Sequence, residues 1–211
     1  MRAILFALGL GAAGALALTS AGFAGQPVTQ TLNPPPPPWQ SCKAVGDGTI
    51  CEGTNVESYG PIDTADEGAP LVCGSGAGAF DIFDAATDDY SVWKKFDTDG
   101  NLVRRVFHDH YTFGQFSNPL NGVVIPYTQT DTRIDVLAVP GDLSSATETT
   151  TWEGLVHLPG SGAPVFWNSG RTVQFPIFGP TEFRAGRLDF FLLFSDGDTA
   201  VLDQLCAALG A

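Results

Sequence analysis

The feature that most constrains the fold is a series of short apolar and β-branched segments separated by turn-forming residues. Residues 90–96 and 102–113 alternate in polarity on either side of the dipeptide Asp99-Gly100. An Asp-Gly step between two alternating segments is typical of a β-hairpin. Further turns rich in glycine, proline and asparagine stand at residues 118–122, 140–142, 159–160 and 168–170. From residue 79 onward the pattern therefore predicts about seven or eight strands in sequence order, joined as an antiparallel meander.

A meander of this size leaves two unpaired edges, which closure into a barrel or folding into a sandwich would remove. We therefore expect an all-β fold, a small closed or nearly closed β-barrel, with a β-sandwich as the alternative.

Near the C-terminus the spacing of apolar residues changes from the period of a strand to that of a helix. Asp198 suits a helix N-cap and Gly210 a helix end, and the apolar residues between them share one helical face. This predicts one C-terminal α-helix that packs on the sheet.

The N-terminus has the features of an export signal. Met1-Arg2 precedes residues 3–18, which carry no charge, and small residues continue to Ala24. We interpret residues 1–24 as a signal peptide cut after Ala24, with Ala21 as the second choice of cleavage site. A retained membrane anchor is the alternative, but the apolar stretch is short for a span of about 20 residues. The sequence thus predicts a secreted, extracellular protein without a transmembrane segment after cleavage.

The remaining chain divides into two parts. Residues 25–41 contain five consecutive prolines, 34–38, and are predicted to be a stiff tether. Residues 42–211 form a single disulfide-stapled β-domain. From residue 40 to about residue 78 the chain is rich in glycine and acidic residues and is expected to be ordered but loop-rich, with one short strand around residues 49–51.

An even number of cysteines in an oxidising compartment favours disulfides. The four are Cys42, Cys51, Cys73 and Cys206. Of the three possible connectivities we favour Cys42–Cys51, which closes a short local loop, and Cys73–Cys206, which ties the start of the sheet to the C-terminal helix. Zinc binding is the alternative, but the sequence has no Cys-x-x-Cys pair.

The net charge of the chain disfavours some classes of binding partner. Asp and Glu total 23 against 10 Lys and Arg, which gives a formal net charge of −13 at pH 7. Such a surface repels phosphate backbones and anionic lipid headgroups. We expect no nucleic-acid partner, and an unknown small molecule or extracellular partner instead.

Several turns and the helix end carry a family resemblance. They are residues 99–105 (DGNLVRR), 118–122 (NPLNG), 169–173 (SGRTV) and 205–209 (LCAAL). Over about residues 40–211 the chain resembles a set of uncharacterised, signal-bearing, β-rich secreted proteins of actinobacteria. The resemblance implies a secreted β-rich fold and no activity, substrate or catalytic residue.

Three histidines are the candidate metal ligands. His108 and His110 stand two apart in a predicted strand, so their side chains share a face. His157 could add a third nitrogen ligand. In a meander, however, its strand lies two strands from that of His108, nearly 10 Å away. No cofactor is predicted; a bound metal ion remains a hypothesis.

Aromatic residues suggest a second kind of site. Trp93, Trp152 and Trp167 could line the mouth of a barrel, although core packing is the alternative for these rings. The function we expect is that of a secreted, noncatalytic β-barrel that binds a small apolar ligand or an extracellular surface partner. The alternative is a secreted metal-dependent or histidine-based enzyme that uses His108, His110 and His157.

Overall fold

A computed structural model describes residues 28–66, 70–157, 164–177, 179–189, 192–196 and 199–210. The predicted signal peptide, residues 1–24, and its cleavage site lie outside the described residues. No described helix is long and apolar enough to cross a membrane.

Eight antiparallel strands form one large sheet. Together with a separate two-stranded sheet, they are numbered in chain order: β1 Ser41–Val45, β2 Gly48–Asp63, β3 Val72–Cys73, β4 Phe80–Asp81, β5 Phe83–Phe96, β6 Leu102–Ser117, β7 Val124–Leu137, β8 Ala146–His157, β9 Pro164–Gln174 and β10 Thr181–Leu188. The large sheet has the order β1-β2-β5-β6-β7-β8-β9-β10, and β3 pairs with β4. The predicted antiparallel meander is confirmed, and β1 and β10 are its edges among the described residues.

Short helical elements complete the fold. Two 3₁₀ turns span Gly76–Gly78 and Leu143–Ser145, and a π-helical turn spans Leu192–Asp196. Helix α1, Thr199–Ala208, buries Val201, Leu205 and Cys206, as its apolar period predicts. The last strand of the large sheet, β10, ends at Leu188.

The largest difference from the sequence prediction is β2. Residues 40 to about 78 were expected to be loop-rich, yet β2 is a 16-residue strand that pairs with β5 along most of its length. The sequence of β2 is glycine-rich and acidic, and much of the strand is exposed. It therefore lacks the alternation of apolar and polar residues that would predict a strand. Backbone hydrogen bonds to β5 hold it instead, and such pairing is a non-local property.

Residues 28–40 were expected to form part of a tether, but they lie against the sheet. Leu32 is buried in an apolar cluster with Phe96 and Leu102. The Asn33 N–H donates to the Gly100 carbonyl at 2.8 Å, and the Leu102 N–H donates to the Asn33 carbonyl at 2.9 Å. Buried apolar contacts and backbone pairing therefore anchor the residues around Leu32 on the sheet.

One face of the large sheet carries the core, and we call it the inner face. At one end of the strands, helix α1 and residues 71–82 pack on an apolar cluster that includes Phe116, Ile125 and Phe166. At the other end, the segment around Leu32 packs on a smaller cluster. Both clusters come from alternate residues of each strand, as the period of two in β structure requires.

Both disulfides have the predicted pairing. Cys42 and Cys51 are cross-strand partners in the β1–β2 hairpin. Cys73, in β3, is bonded to Cys206 in helix α1 across 133 residues of sequence. The second bridge lies inside the larger apolar cluster.

Substituting Gly114 with alanine should destabilise the fold. A Cβ at Gly114 would overlap the ring of Tyr127, which is buried and donates a hydrogen bond to Asp84 at 3.0 Å. We expect Gly114→Ala to lower the unfolding free energy by about 1–3 kcal/mol in urea denaturation, as overpacking does. Gly78→Ala is the control, because a Cβ there meets no atom within 4 Å. Equal stability of the two variants would contradict this.

Candidate functional site

Between the two apolar clusters the inner face is polar. The register of the strands aligns the side chains of the inner face in rows across the sheet. Three of these rows are named here as layers. The charged layer is Lys94, Arg105, Asp135 and Glu148; the acidic layer is Tyr90, Asp109, Asp131 and Trp152; the amide layer is Asp88, Tyr111, Gln129, Gly154 and Asn168. These three layers form the candidate site.

The charged layer contains one hydrogen-bonded ion pair and one longer contact, and Asp135 Oδ1 and Glu148 Oε2 are buried without hydrogen-bond partners among the described residues. Arg105 forms a hydrogen-bonded ion pair with Asp135, whose side chain is fully buried. Arg133, one row further along, lies 3.8 Å from Glu148. The guanidinium groups of both arginines lie over the ring of Phe107, at 5.1 and 4.1 Å from its centroid. The row that contains Phe107 and Arg133 thus separates the charged layer from the acidic layer.

The acidic layer brings two carboxyl groups together, with Arg133 facing them from the neighbouring row. Asp109 and Asp131 are directly opposite each other on β6 and β7, and Asp88 accepts a hydrogen bond from the backbone N–H of His110 at 3.0 Å. Burial, then the negative charge of Asp131, raises the pKa of Asp109 to about 7. Burial likewise raises the pKa of Asp131. Like charges at this spacing are unfavourable, so the pair holds a proton near neutral pH.

The amide layer contains buried polar atoms that lack hydrogen-bond partners. Asn168 is 0% exposed, and neither its Nδ2 nor its Oδ1 has a partner among the described residues. Gln129 donates from Nε2 to Asp131 at 3.3 Å, but its Oε1 is buried and unpartnered. Gly154 lies between these two residues in the row and carries no side chain. Two unsatisfied amides therefore flank a position without a side chain.

The inner face is more exposed near β2 than at the middle of the sheet. Glu57 and Asn55 reach the hydroxyl of Tyr90, at 2.7 and 2.9 Å respectively. Trp39 packs edge-on against the Tyr90 ring, with centroids 5.7 Å apart. Glu57 is exposed although it belongs to the row of the amide layer. The residues 28–40 segment and β2 thus border the site without covering all of it.

The three predicted metal ligands do not converge. His108 and His110 are exposed on the outer face, and His108 Nδ1 lies 2.9 Å from the hydroxyl of Thr132. His110 shares a row with Glu153, two strands away. His157 lies four residues beyond Glu153, which is about 13 Å further along the strand. Among the described residues no group of three or more His, Cys, Asp or Glu has a geometry suited to a metal ion.

The three predicted tryptophans lie on different faces. Trp152 belongs to the acidic layer, where its Nε1 donates to Thr172 at 3.1 Å. Trp93 is on the outer face, in a groove of about 440 Å³ with Val103 and Arg104. Trp167 is 48% exposed on the outer face. Of the predicted ligand-binding set, only Trp152 therefore contributes to the inner site.

Sequence reasoning missed the carboxyl and amide residues of this site. Asp109 stands between the two histidines that we chose, and its side chain points to the opposite face. A signal was present in β7, where Gln129, Asp131, Arg133 and Asp135 occupy every second position between Tyr127 and Leu137. Such a polar run at the core-facing period, bounded by apolar residues, indicates a polar interior.

Comparisons with protein-family models, curated proteins and solved structures gave no match. The resemblance to secreted actinobacterial proteins therefore stays a prediction.

Proposed function

We propose that the protein is an exported, noncatalytic binding protein that holds a small polyhydroxylated ligand, such as a sugar ring, on its inner face. The observation that carries the proposal is the fully buried Asn168, whose amide has no partner in the described structure. A buried amide without a partner costs about 1–3 kcal/mol. Binding sites tolerate such a cost because the ligand supplies the missing hydrogen bonds.

The composition of the site supports a polar ligand over the small apolar ligand expected from the sequence. Both apolar clusters are already packed, one by helix α1 and the other by the segment around Leu32. The side chains between them offer amides, carboxyls and the ring of Trp152. A sugar ring matches this set, since its hydroxyls pair with amides and carboxyls and its C–H face packs on an aromatic ring.

As part of the same proposal, the sheet curls into a nearly closed barrel. Asp131, Thr150 and Thr172 are buried at the middle of the inner face, far from the elements that cover its two ends. A flat sheet would leave such residues exposed, whereas a curled sheet shields them with its own strands. Exposure of Glu57 on β2 and Arg184 on β10 supports an opening between these two strands, through which a ligand enters.

Export belongs to the proposal as well. Two disulfides support an oxidising compartment, and the apolar N-terminal stretch supports a cleaved signal. Mass spectrometry of the protein from a culture supernatant tests this part. The expected product begins at Gly25, and an intact N-terminus on membrane-bound protein would contradict it.

Asn168→Leu tests the proposal through stability. Leucine is close to asparagine in shape and removes the unsatisfied amide, so we expect the unfolding free energy of the free protein to rise by about 1–3 kcal/mol. Thr172→Val is the matched control, on the same strand and face. It removes an acceptor that Trp152 uses and should lower the unfolding free energy by about 0.5–1.5 kcal/mol. A loss of stability in Asn168→Leu would mean that the amide is satisfied, which contradicts the proposal.

Binding is tested directly by isothermal titration calorimetry with three sugars that differ only at C6: glucose, glucuronate and 6-amino-6-deoxyglucose. We expect at least one of them to bind wild-type protein in the millimolar range or tighter, and Asn168→Leu to abolish that binding. Ser169→Ala, which changes the adjacent outward-facing residue, should bind as wild type does. Absence of binding by all three sugars would overturn the proposed ligand class.

A further inference from the structure

We infer that Asp109 and Asp131 form a binding site for a primary ammonium group, so that the ligand of the inner face is an amine-bearing polar molecule such as an amino sugar. The inference rests on the proposed function and names the chemistry of its ligand. It starts from the placement of the two carboxyls, which are direct cross-strand partners in the acidic layer.

The candidate site carries an excess of negative charge. The acidic and amide layers contain Asp88, Asp109 and Asp131, with Glu57 at the end of the row, and contain no lysine or arginine. Among the described residues, Arg105 pairs with Asp135 and Arg187 with Asp189. Arg133 lies 3.8 Å from Glu148, without a hydrogen bond from its Nε to any described residue. Arg133 faces Asp109 and Asp131 from the neighbouring row, and its charge acts to lower their pKa values. One guanidinium does not balance the four carboxyls, and this excess of negative charge attracts a cationic ligand.

Buried amide atoms without partners in the described structure lie beside the carboxyls. Gln129 Oε1 is a buried acceptor without a donor, and the same amide contacts Asp131 through Nε2. Asn168, two strands away across Gly154, is fully buried and has no partner among the described residues. A primary ammonium has three donors. Asp109, Asp131 and Gln129 Oε1 supply three acceptors for it, and Asn168 is left for a hydroxyl on the rest of the ligand.

Aromatic residues complete the site. Tyr90 and Trp152 occupy the two ends of the acidic layer, with the carboxyl pair between them. Ammonium groups are attracted to aromatic rings as well as to carboxylates. A neutral sugar would use the amides and the Trp152 ring and would leave the carboxyl pair to share its proton. An amine would use all of these groups, which is why the site favours it.

Proton release is the distinctive signature of this binding mode. The titratable groups that face Asp109 are Glu57, Asp88 and Tyr90 from β2 and β5, and Asp131 and Arg133 from β7. A bound cation displaces the proton that the carboxyl pair holds, so binding at about pH 6 should release about one proton per amine. A neutral sugar displaces none.

The test compares the same three C6 sugars by calorimetry. We expect 6-amino-6-deoxyglucose to bind at least about tenfold more tightly than glucose at about pH 7.5, and glucuronate to bind most weakly. Asp109→Asn and Asp131→Asn should each remove the preference for the amine while glucose binding persists. Wild-type protein alone gives a second readout, because calorimetry in buffers of different ionisation enthalpy measures proton release without any variant.

The outcomes separate the two proposals. Equal affinity for the three sugars, or amine binding without proton release, would overturn the ammonium site and leave the polar-ligand proposal in place. Tighter binding of glucuronate than of the amine would do the same. Absence of binding by all three sugars would overturn both.

Discussion

Raising the pH from about 4.5 to about 7.5 should lower the unfolding free energy by several kcal/mol, because buried carboxyls hold protons in the folded state. Burial raises the pKa of Asp84 to about 6, although the hydroxyls of Tyr127 and Tyr59 bond to it. Burial is also the main cause that raises the pKa of Asp88 to about 6. Asp109 and Asp131 shift in the same direction.

The direction of the effect follows from the raised pKa values. In the unfolded chain these carboxyls have a pKa of about 4. Between about pH 4 and pH 7 the folded protein therefore binds more protons than the unfolded chain, and each extra proton lowers the unfolding free energy by about 1.4 kcal/mol per pH unit of increase. The stabilisation is complete below about pH 4 and is lost as the pH rises through the folded pKa values. For Asp84 alone, a pKa of about 6 in the folded protein against about 4 in the unfolded chain corresponds to about 3 kcal/mol.

Urea denaturation at a series of pH values measures this dependence. Asp109→Asn should make the unfolding free energy less dependent on pH. The substitution removes one carboxyl with a raised pKa and its repulsion of the neighbouring carboxyls. Asp203→Asn, which changes an exposed carboxylate on helix α1, serves as the control and should keep the wild-type slope. Stability that rises between about pH 4.5 and pH 7.5 would show that the carboxyls are ionised in the folded protein, contrary to this expectation.

Removing the Cys73–Cys206 bridge should cost about 5 kcal/mol of unfolding free energy, the largest effect we expect from any covalent change. The bridge closes a loop of 133 residues, and a longer loop restricts the unfolded chain more. It also joins helix α1 to β3 within the larger apolar cluster. The double variant Cys73→Ala/Cys206→Ala therefore loses both the cross-link and buried contacts.

The second bridge provides the comparison. Cys42 and Cys51 are separated by nine residues and already face each other in a hairpin. The entropic model gives about 3 kcal/mol for a loop of this length, so Cys42→Ala/Cys51→Ala should be the milder double variant. Equilibrium unfolding in guanidinium, followed by tryptophan fluorescence, measures both. A larger loss on removing the hairpin bridge would contradict the loop-length argument.

Local patterns were sufficient for part of this fold. The meander of β5 to β9, helix α1 and both disulfides follow from turn residues, periodicity and cysteine spacing. Strand β2 and the docking of residues 28–40 do not, because their own sequences lack an apolar period. Each is held by contacts with residues distant in the chain, such as Leu32 with Phe96 and β2 with β5.

The candidate site shows the same division more sharply. The sequence alone determined that residues 108 and 110 share one face and residue 109 the other, since that follows from the period of two. It did not determine which face is inner, and we chose the histidines. Only the tertiary structure decided this, because the inner face is set by which side helix α1 and the Leu32 segment cover. Register then placed Asp109 opposite Asp131, and Gln129 and Asn168 on either side of Gly154.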